Sequence, residues 1–230
     1  MNSPIIISSL VSEDIQNELE ILGISYIAGG KSKNIQGETA YHPDMLFYPL
    51  LDGKILTEKG YVNNSDTNLE FYEGETSLAN NYPFDCRFNC FTAGNNLICG
   101  KNVAKEIKDD AIMHGYNVQY VKQGYAACST VRLYNDAFIS SDVSIYKSLT
   151  KLGFDALLVD NADIKLNGYN CGFIGGCALY SDKDILAFSG NVKKHKDFDF
   201  INSFCANYKI SIYSLSNTDL YDYGGFIKKR

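Results

Sequence analysis

Short apolar runs alternate along the chain with segments in which apolar positions recur every three or four residues. Residues 96–99 and 137–141 form strand-like runs, and helical patterns follow them over residues 103–114 and 142–152. A second strand-like run comes after each helix. The same order is found at the start of the chain, with a helix over residues 12–22, and near its end, with a helix over residues 198–206. The pattern predicts small sheets connected by single helices, which is an α/β fold.

The ends of the predicted helices carry the residues that favour them. Asp142 is suited to cap the helix that follows it, because its carboxylate accepts bonds from free backbone N–H groups. Gly23, Gly115 and Gly153 are placed to end their helices in the left-handed conformation. Residues 55–82 give only a weak helical signal, so a short helix or a loop is expected there.

One short segment, an aromatic residue followed by turn-forming residues and an apolar tail, occurs five times at intervals of about 45 residues. The copies are YHPDMLF from Tyr41, YPFDCRF from Tyr82, YAACSTV from Tyr125, FIGGCAL from Phe173 and YDYGGFI from Tyr221. A unit with one helix on a small sheet cannot bury its core alone, so the units must pack on one another. We expect a single domain over residues 1–230, built as a five-fold pseudosymmetric ring. An ordinary two-domain α/β chain with coincidental spacing is the alternative.

Composition excludes several classes of protein. The 230 residues are 45% hydrophobic and carry a formal net charge of -6, with no long basic segment, so nucleic-acid binding is not expected. Ile5, Ile6 and Ile7 form the longest early apolar run and no basic segment precedes them, which predicts neither a signal peptide nor a membrane span. Seven cysteines in a chain of this size suggest free thiols. We therefore expect a cytoplasmic protein.

Five motifs resemble one known group of proteins. They are HPDM at 42–45, QGYAACST at 123–130, GFIGGCA at 172–178, FSGNVKKH at 188–195 and LYDYGG at 220–225. With the repeats, they resemble a bacterial branch of the guanidino-group-modifying-enzyme fold, or pentein fold. This resemblance spans nearly the whole chain. It implies an α/β propeller of five ββαβ units, whose aromatic segments line a central pore.

The resemblance also implies a chemistry. In the enzymes of this fold, a cysteine thiolate attacks a guanidinium carbon, a histidine acts as acid and base, and carboxylates hold the cation. The nucleophilic cysteine of those enzymes lies in the last unit, after a glycine-rich stretch. Here Gly224 and Gly225 are followed by Phe226, and no cysteine occurs before Arg230. This departure favours binding over hydrolysis of the usual type.

The candidate site residues come from equivalent positions of the repeats. If the five segments are equivalent, their fourth residues meet in the pore, and these are Asp44, Asp85, Cys128, Gly176 and Gly224. Asp222 of the LYDYGG motif joins them as a candidate ligand-binding residue. Cys128 or Cys177 is the candidate nucleophile, and His42 is the candidate base. The alternatives are that both Asp44 and Asp85 cap turns and that Cys177 is a core residue. His195, among lysines, is predicted to be a solvated surface residue.

The function expected from these residues is binding of a small cationic ligand, guanidino-like or amidine-like, in the pore. One alternative is a cysteine-dependent guanidino hydrolase, or an amidinotransferase-like enzyme, with a relocated nucleophile; another is a non-catalytic protein-interaction module. No cofactor is expected. Gly29–Ser32 lacks the upstream glycine of a phosphate loop, and Cys86, Cys90 and Cys99 do not have the spacing of a zinc site.

Overall fold

The computed structural model describes residues 3–61 and 67–230. Within these residues the chain forms five three-stranded sheets that share one topology. In each sheet an inner strand pairs antiparallel with the middle strand, and the middle strand pairs parallel with an outer strand. The fold is mixed α/β, and the five repeated sheets fit the predicted pseudosymmetry.

The strands are short, with two to four residues each. In chain order they are β1 (Ile5–Ser8), β2 (Tyr26–Gly29), β3 (Phe47–Pro49), β4 (Ile55–Thr57), β5 (Phe71–Glu73), β6 (Phe91–Ala93), β7 (Asn96–Cys99), β8 (Asn117–Tyr120), β9 (Thr130–Arg132), β10 (Phe138–Ser140), β11 (Ala156–Leu158), β12 (Ala178–Ser181), β13 (Ile185–Phe188), β14 (Ser211–Ser214) and β15 (Phe226–Ile227). The sheets are β3-β4-β5, β6-β7-β8, β9-β10-β11, β12-β13-β14 and β15-β1-β2.

Helices connect the middle and outer strands of four sheets, as predicted. They are α1 (Glu13–Ile21), α3 (Lys105–Met113), α4 (Val143–Lys151) and α6 (Phe198–Asn207), while the single-turn helices α2 (Pro43–Leu46) and α5 (Ile174–Cys177) precede inner strands. Asp142 caps α4 by accepting bonds of 2.8 and 2.9 Å from the N–H groups of Ser144 and Ile145. None of the helices in the described residues is long and apolar enough to cross a membrane.

The connection between β4 and β5 has no helix in its described part, residues 58–61 and 67–70. This agrees with the weak helical signal, although residues 62–66 of the connection lie outside the described residues. The segment after β5 is held from the neighbouring unit instead. Glu106 of α3 accepts bonds of 2.8 and 2.7 Å from the backbone N–H and the hydroxyl of Thr76.

The two ends of the chain meet in one sheet. β15 pairs antiparallel with β1, with Ile227 opposite Ile6 and Phe226 opposite Ile7. Ile5, Ile6 and Ile7 are all buried, because the strand packs on α1 on one side and on neighbouring units on the other. This pairing brings the segment before β15, residues 220–225, next to α2.

Candidate functional site

The candidate site lies where the segments before the inner strands meet. His42 precedes α2, whose first residue is Pro43, a residue pre-shaped for a helix start. Asp44 follows in the first turn, and its backbone N–H donates a 3.3 Å bond to the carbonyl of Gly224. Both His42 and Asp44 are buried. The short helix therefore sends two titratable side chains inward from adjacent positions.

Asp44 contacts Cys128 directly. The Cys128 thiol donates a 2.7 Å hydrogen bond to Oδ2 of Asp44, and both side chains are buried. The other carboxylate oxygen, Oδ1, is buried and has no hydrogen-bond partner among the described residues. Asp44 therefore does not act as the turn cap that its sequence context suggested, and it presents one free oxygen.

Asn89 holds Cys128 in place. Its Oδ1 accepts bonds of 2.7 and 3.0 Å from the backbone N–H groups of Ala127 and Cys128, and its Nδ2 donates a 3.3 Å bond to the Cys128 sulfur. Asn89 is 1% exposed, so these contacts are shielded from solvent. The sequence alone does not identify Asn89 as a site residue. It lies seven positions after Tyr82 in the second repeat, between two apolar residues.

Asp222 lies on the other side of the same cluster. Its Oδ1 accepts a 2.9 Å bond from the N–H of Gly224, and its Oδ2 accepts one of the same length from Phe173. Nδ1 of His42 lies 3.8 Å from Oδ1 of Asp222. One ligating atom each of His42, Cys128 and Asp222 lies within 4.8 Å of the other two. An imidazole, a thiol and a carboxylate from three distant parts of the chain thus converge.

Two glycines leave only enough room for these side chains. A Cβ atom at Gly176 would lie 1.8 Å from Oδ1 of Asp222, and one at Gly224 would lie 2.3 Å from Cβ of His42. Gly176 and Gly224 therefore leave the space that the side chains of Asp222 and His42 occupy.

Burial sets the protonation of the cluster. It raises the pKa of Asp44 well above its usual range, and the nearby Asp222 raises it further. Burial likewise raises the pKa of Asp222, an effect that His42 partly offsets. The pKa of the Cys128 thiol is raised well above normal by burial and by Asp44, whereas burial lowers the pKa of His42. Each shift disfavours the charged form of its own group.

The two remaining predicted side chains, Cys177 and Asp85, form their hydrogen bonds with other residues. Cys177 is fully buried and its thiol donates a 3.4 Å bond to the carbonyl of Phe173. Asp85 accepts a 2.5 Å bond from the Tyr125 hydroxyl, and no hydrogen bond among the described residues joins it to Asp44 or Cys128. Tyr125 packs between Tyr82 and Phe173, with ring centroids 5.6 and 6.1 Å away.

The prediction for His195 is wrong. The side chain is only 4% exposed, and it joins two loops. Its Nε2 donates a 2.9 Å bond to the carbonyl of Asp160, and its Nδ1 accepts a 3.1 Å bond from the N–H of Asp197. The lysines beside it in sequence reach solvent, but the imidazole turns inward to satisfy backbone groups.

A cavity of about 210 Å³ is lined in part by Asp44. All five inner strands contribute to its wall, and Asp44, Ala127, Gly175 and Gly224 also line it. Its rim carries three cations. Arg132 pairs with Asp136, Lys228 pairs with Asp182, and Arg230 donates a 3.1 Å bond to the hydroxyl of Tyr48.

The comparison with known families gives one match. Residues 6–227 match the family described as "Family of unknown function (DUF6873)", which covers nearly the whole chain. The chain belongs to this family. No curated protein matches the sequence.

Comparison with solved structures shows the fold of this chain. A substrate-bound cysteine-to-serine variant of C. jejuni agmatine deiminase is 10% identical over 95% of this chain and 80% of that one, with a TM-score of 0.50. Another structure of C. jejuni agmatine deiminase is 11% identical over 92% and 75% of the two chains, with a TM-score of 0.49. At this identity the likeness shows the fold alone, which is that of agmatine deiminase.

Proposed function

We propose that the protein is a five-bladed pentein that binds a small cationic ligand, of the guanidino or amidine class, in the cavity between the inner strands. The observation that carries this proposal is the free Oδ1 of Asp44, which is buried beside the cavity without a partner. A buried carboxylate oxygen without a donor is costly, and a ligand with N–H donors would remove that cost. A planar cation would also form two parallel bonds to a carboxylate.

The size of the cavity limits the ligand. About 210 Å³ is below the usual range for drug-sized ligands, so a compact molecule is favoured. The cations of the rim leave room for a cationic ligand, because each of them already has a partner. Arg132 pairs with Asp136, Lys228 pairs with Asp182, and Arg230 lies over the Tyr48 ring. Asp44 is the one carboxylate side chain among the described residues that line the cavity, and its Oδ1 has no partner.

Binding is favoured over catalysis by the state of Cys128. Its thiol is 3% exposed and donates to Asp44, so its sulfur is neither ionised nor open to an electrophile in the cavity. Hydrolysis by Cys128 would require both a change of rotamer and loss of the proton. The same fold supports non-catalytic functions, so the fold does not require hydrolysis.

The test is a titration with cationic ligands and their uncharged counterparts. We expect agmatine or methylguanidine to raise the melting temperature and to give saturable heat in calorimetry, while methylurea, of similar shape but neutral, has no effect. Asp44→Asn should weaken binding at least about tenfold, because the charge-assisted bond is lost. Asp109→Asn, the same change on the exposed face of α3, is the control and should bind normally.

Two results would contradict the proposal. If neither cation binds to the wild-type protein at millimolar concentration, the cavity is not a site for this class of ligand. If Asp44→Asn binds as tightly as wild type, the free Oδ1 is not the anchor.

A further inference from the structure

We propose that His42, Cys128, Asp222 and Asp44 form a binding site for one divalent transition-metal ion, with zinc as the best match. The inference goes beyond ligand binding in the cavity, because it concerns the buried cluster of His42, Cys128 and Asp222. It starts from the convergence of an imidazole nitrogen, a thiol sulfur and a carboxylate oxygen within 4.8 Å of one another. These three donor types are the ones that bind zinc in proteins.

The spacing suits a tetrahedral ion. With bonds of about 2.0–2.3 Å, two ligands of a tetrahedral zinc lie about 3.3–3.6 Å apart. Nδ1 of His42 and Oδ1 of Asp222 are 3.8 Å apart, so a movement of a few tenths of an ångström would place both on one ion. The three ligating atoms all lie within 4.8 Å of one another, so no two of them would have to approach by more than about 1.5 Å. Rotation of buried side chains about χ1 and χ2 covers that range.

Asp44 supplies a fourth ligand atom, a carboxylate oxygen. Its Oδ2 lies 2.7 Å from the Cys128 sulfur, so an ion bound to that sulfur lies within reach of the carboxylate. Metal binding forms a sulfur–metal bond and releases the thiol proton to solvent, which removes the present hydrogen bond between the two residues. The oxygen that faces the metal would be Oδ2. The unpartnered Oδ1 would stay available to a ligand in the cavity.

The surroundings resemble the outer layer of a metal site. Asp222 is oriented by the N–H groups of Phe173 and Gly224, and the Cys128 sulfur accepts a bond from Asn89. Such bonds fix the direction of ligands and are a regular part of metal centres. Gly176 and Gly224 keep neighbouring side chains away from Asp222 and His42. The fold therefore brings these ligands close together, and side-chain rotation completes the geometry on an ion.

The charges also favour a cation. A divalent ion with the Cys128 thiolate and the carboxylates of Asp222 and Asp44 leaves one negative charge, with His42 neutral. Two buried carboxylates without a nearby fixed cation are costly, and coordination to a metal is one of the two ways in which proteins compensate buried charge. Of the hydrogen bonds and ion pairs in the described residues, none brings a lysine or arginine to Asp44 or Asp222.

The test is metal content and spectroscopy of the full chain. Protein produced in zinc-supplemented medium, and dialysed without chelator, is expected to contain about one zinc per chain. Replacing zinc with cobalt should give a near-ultraviolet sulfur-to-cobalt charge-transfer band. Cys128→Ser should abolish this band and lower zinc affinity at least about tenfold. Cys205→Ser is the control. It changes a buried thiol that lies in α6, outside the cluster, and should leave the band and the zinc affinity unchanged.

Several outcomes would overturn the proposal. They are a zinc content near zero after supplementation, a cobalt complex without the charge-transfer band, and equal zinc affinity in Cys128→Ser and wild type. If Cys128→Ser does not fold, His42→Gln and the wild-type cobalt spectrum give the same decision. Agmatine binding by chelator-treated protein is measured separately, so failure of the metal site and failure of the ligand site are distinguishable.

Discussion

The thiol of Cys128 and the carboxylate of Asp44, 84 positions apart, are joined by a 2.7 Å hydrogen bond in the centre of the molecule. Asp44 enters from α2 and Cys128 from the segment before β9, so the bond links the sheet β3-β4-β5 to the sheet β9-β10-β11. Its main chemical effect is to keep the thiol protonated. The accessibility and reactivity of the cysteines follow from this arrangement.

Alkylation should therefore select a cysteine outside the cluster. With iodoacetamide at neutral pH, we expect Cys171, the one partly exposed cysteine in the described residues, to react first. Cys128 and Cys177 should react only on the timescale of unfolding, because both thiols are buried and their pKa values are raised by burial. Mass spectrometry of peptides at timed intervals gives the order. Fast labelling of Cys128 would instead support a relocated nucleophile.

Removing the Asn89 side chain should destabilise the centre. In Asn89→Ala, the N–H groups of Ala127 and Cys128 lose their acceptor in a buried place, so the free energy of unfolding should fall by about 2–4 kcal/mol. Asn96→Ala is the control, because Asn96 makes a single 3.2 Å bond to the carbonyl of Ala93 at the surface side of β7. Urea unfolding measures both. Equal losses would show that the bonds of Asn89 contribute little.

Gly224 and Gly168 allow steric crowding to be separated from backbone strain. Both have positive φ, 76° and 84°, but a Cβ would meet His42 at 2.3 Å at the first position and nothing within 4 Å at the second. Both alanine substitutions carry the cost of the left-handed conformation. Gly224→Ala should lower the free energy of unfolding by about 1–3 kcal/mol more than Gly168→Ala, because only it overpacks the centre. Similar losses in urea unfolding would contradict the tight contact.

Glu106 should make part of the stability dependent on pH. Its partial burial raises its pKa, but the bonds from Thr76 outweigh this and the pKa lies below its usual value. A lowered pKa means that folding favours the ionised form. This contribution is present above the ordinary value of about 4.3 and is lost as the pH falls through the lower folded value.

Glu106→Gln should therefore be less stable than wild type at pH 7, by about 0.5–1 kcal/mol because the group is partly solvated. The difference should vanish in acid. Glu75→Gln, in an exposed pair with Lys59, is the control and should show little change at any pH. Urea unfolding at pH 7 and at successively lower pH, past the ordinary glutamate pKa of about 4.3, gives the comparison. A loss independent of pH would place the effect of Glu106 in packing.

The caps of α4 and α1 offer a matched pair. Asp142 accepts bonds from two N–H groups, whereas Ser12 stands at the same position of α1 without a side-chain bond. Asp142→Ala should cost about 1 kcal/mol of unfolding free energy, and Ser12→Ala close to none. Thermal unfolding of the two variants measures both losses. A similar loss at Ser12 would indicate that the side chain caps α1 in solution.

The sequence contains most of the information about the elements and part of that about the site. Gly23, Gly115 and Gly153 have the predicted positive φ after their helices, because local sterics alone determine it. The equivalence of the repeats brought Asp44 and Cys128 to the same place for a similar reason, since each repeat has the same backbone path. Neither inference required knowledge of a side-chain partner.

The parts that were not predictable depend on partners far away in sequence. Asp85 holds the same position in its repeat as Asp44, yet it bonds to Tyr125, because an aromatic hydroxyl from the next repeat lies within reach. Asn89 gains its importance only from the backbone N–H groups of Ala127 and Cys128. The neighbouring lysines predict an exposed His195, but its side chain turns inward and bonds to the carbonyl of Asp160, 35 positions earlier. Side-chain direction in such cases is decided by packing between units.

The pairing of β1 with β15 has a consequence for the order of folding. Every other sheet is made of consecutive strands and is complete as soon as its own residues have been synthesised, but the sheet β15-β1-β2 must wait for residues 226 and 227. Until then β1 and β2 lack their third strand, and Asp222 cannot reach His42. Closure over such a long sequence separation is slow relative to local contacts. The approach of Asp222 to His42 thus depends on a pairing between strands near opposite ends of the described residues, whereas the Asp44–Cys128 contact does not.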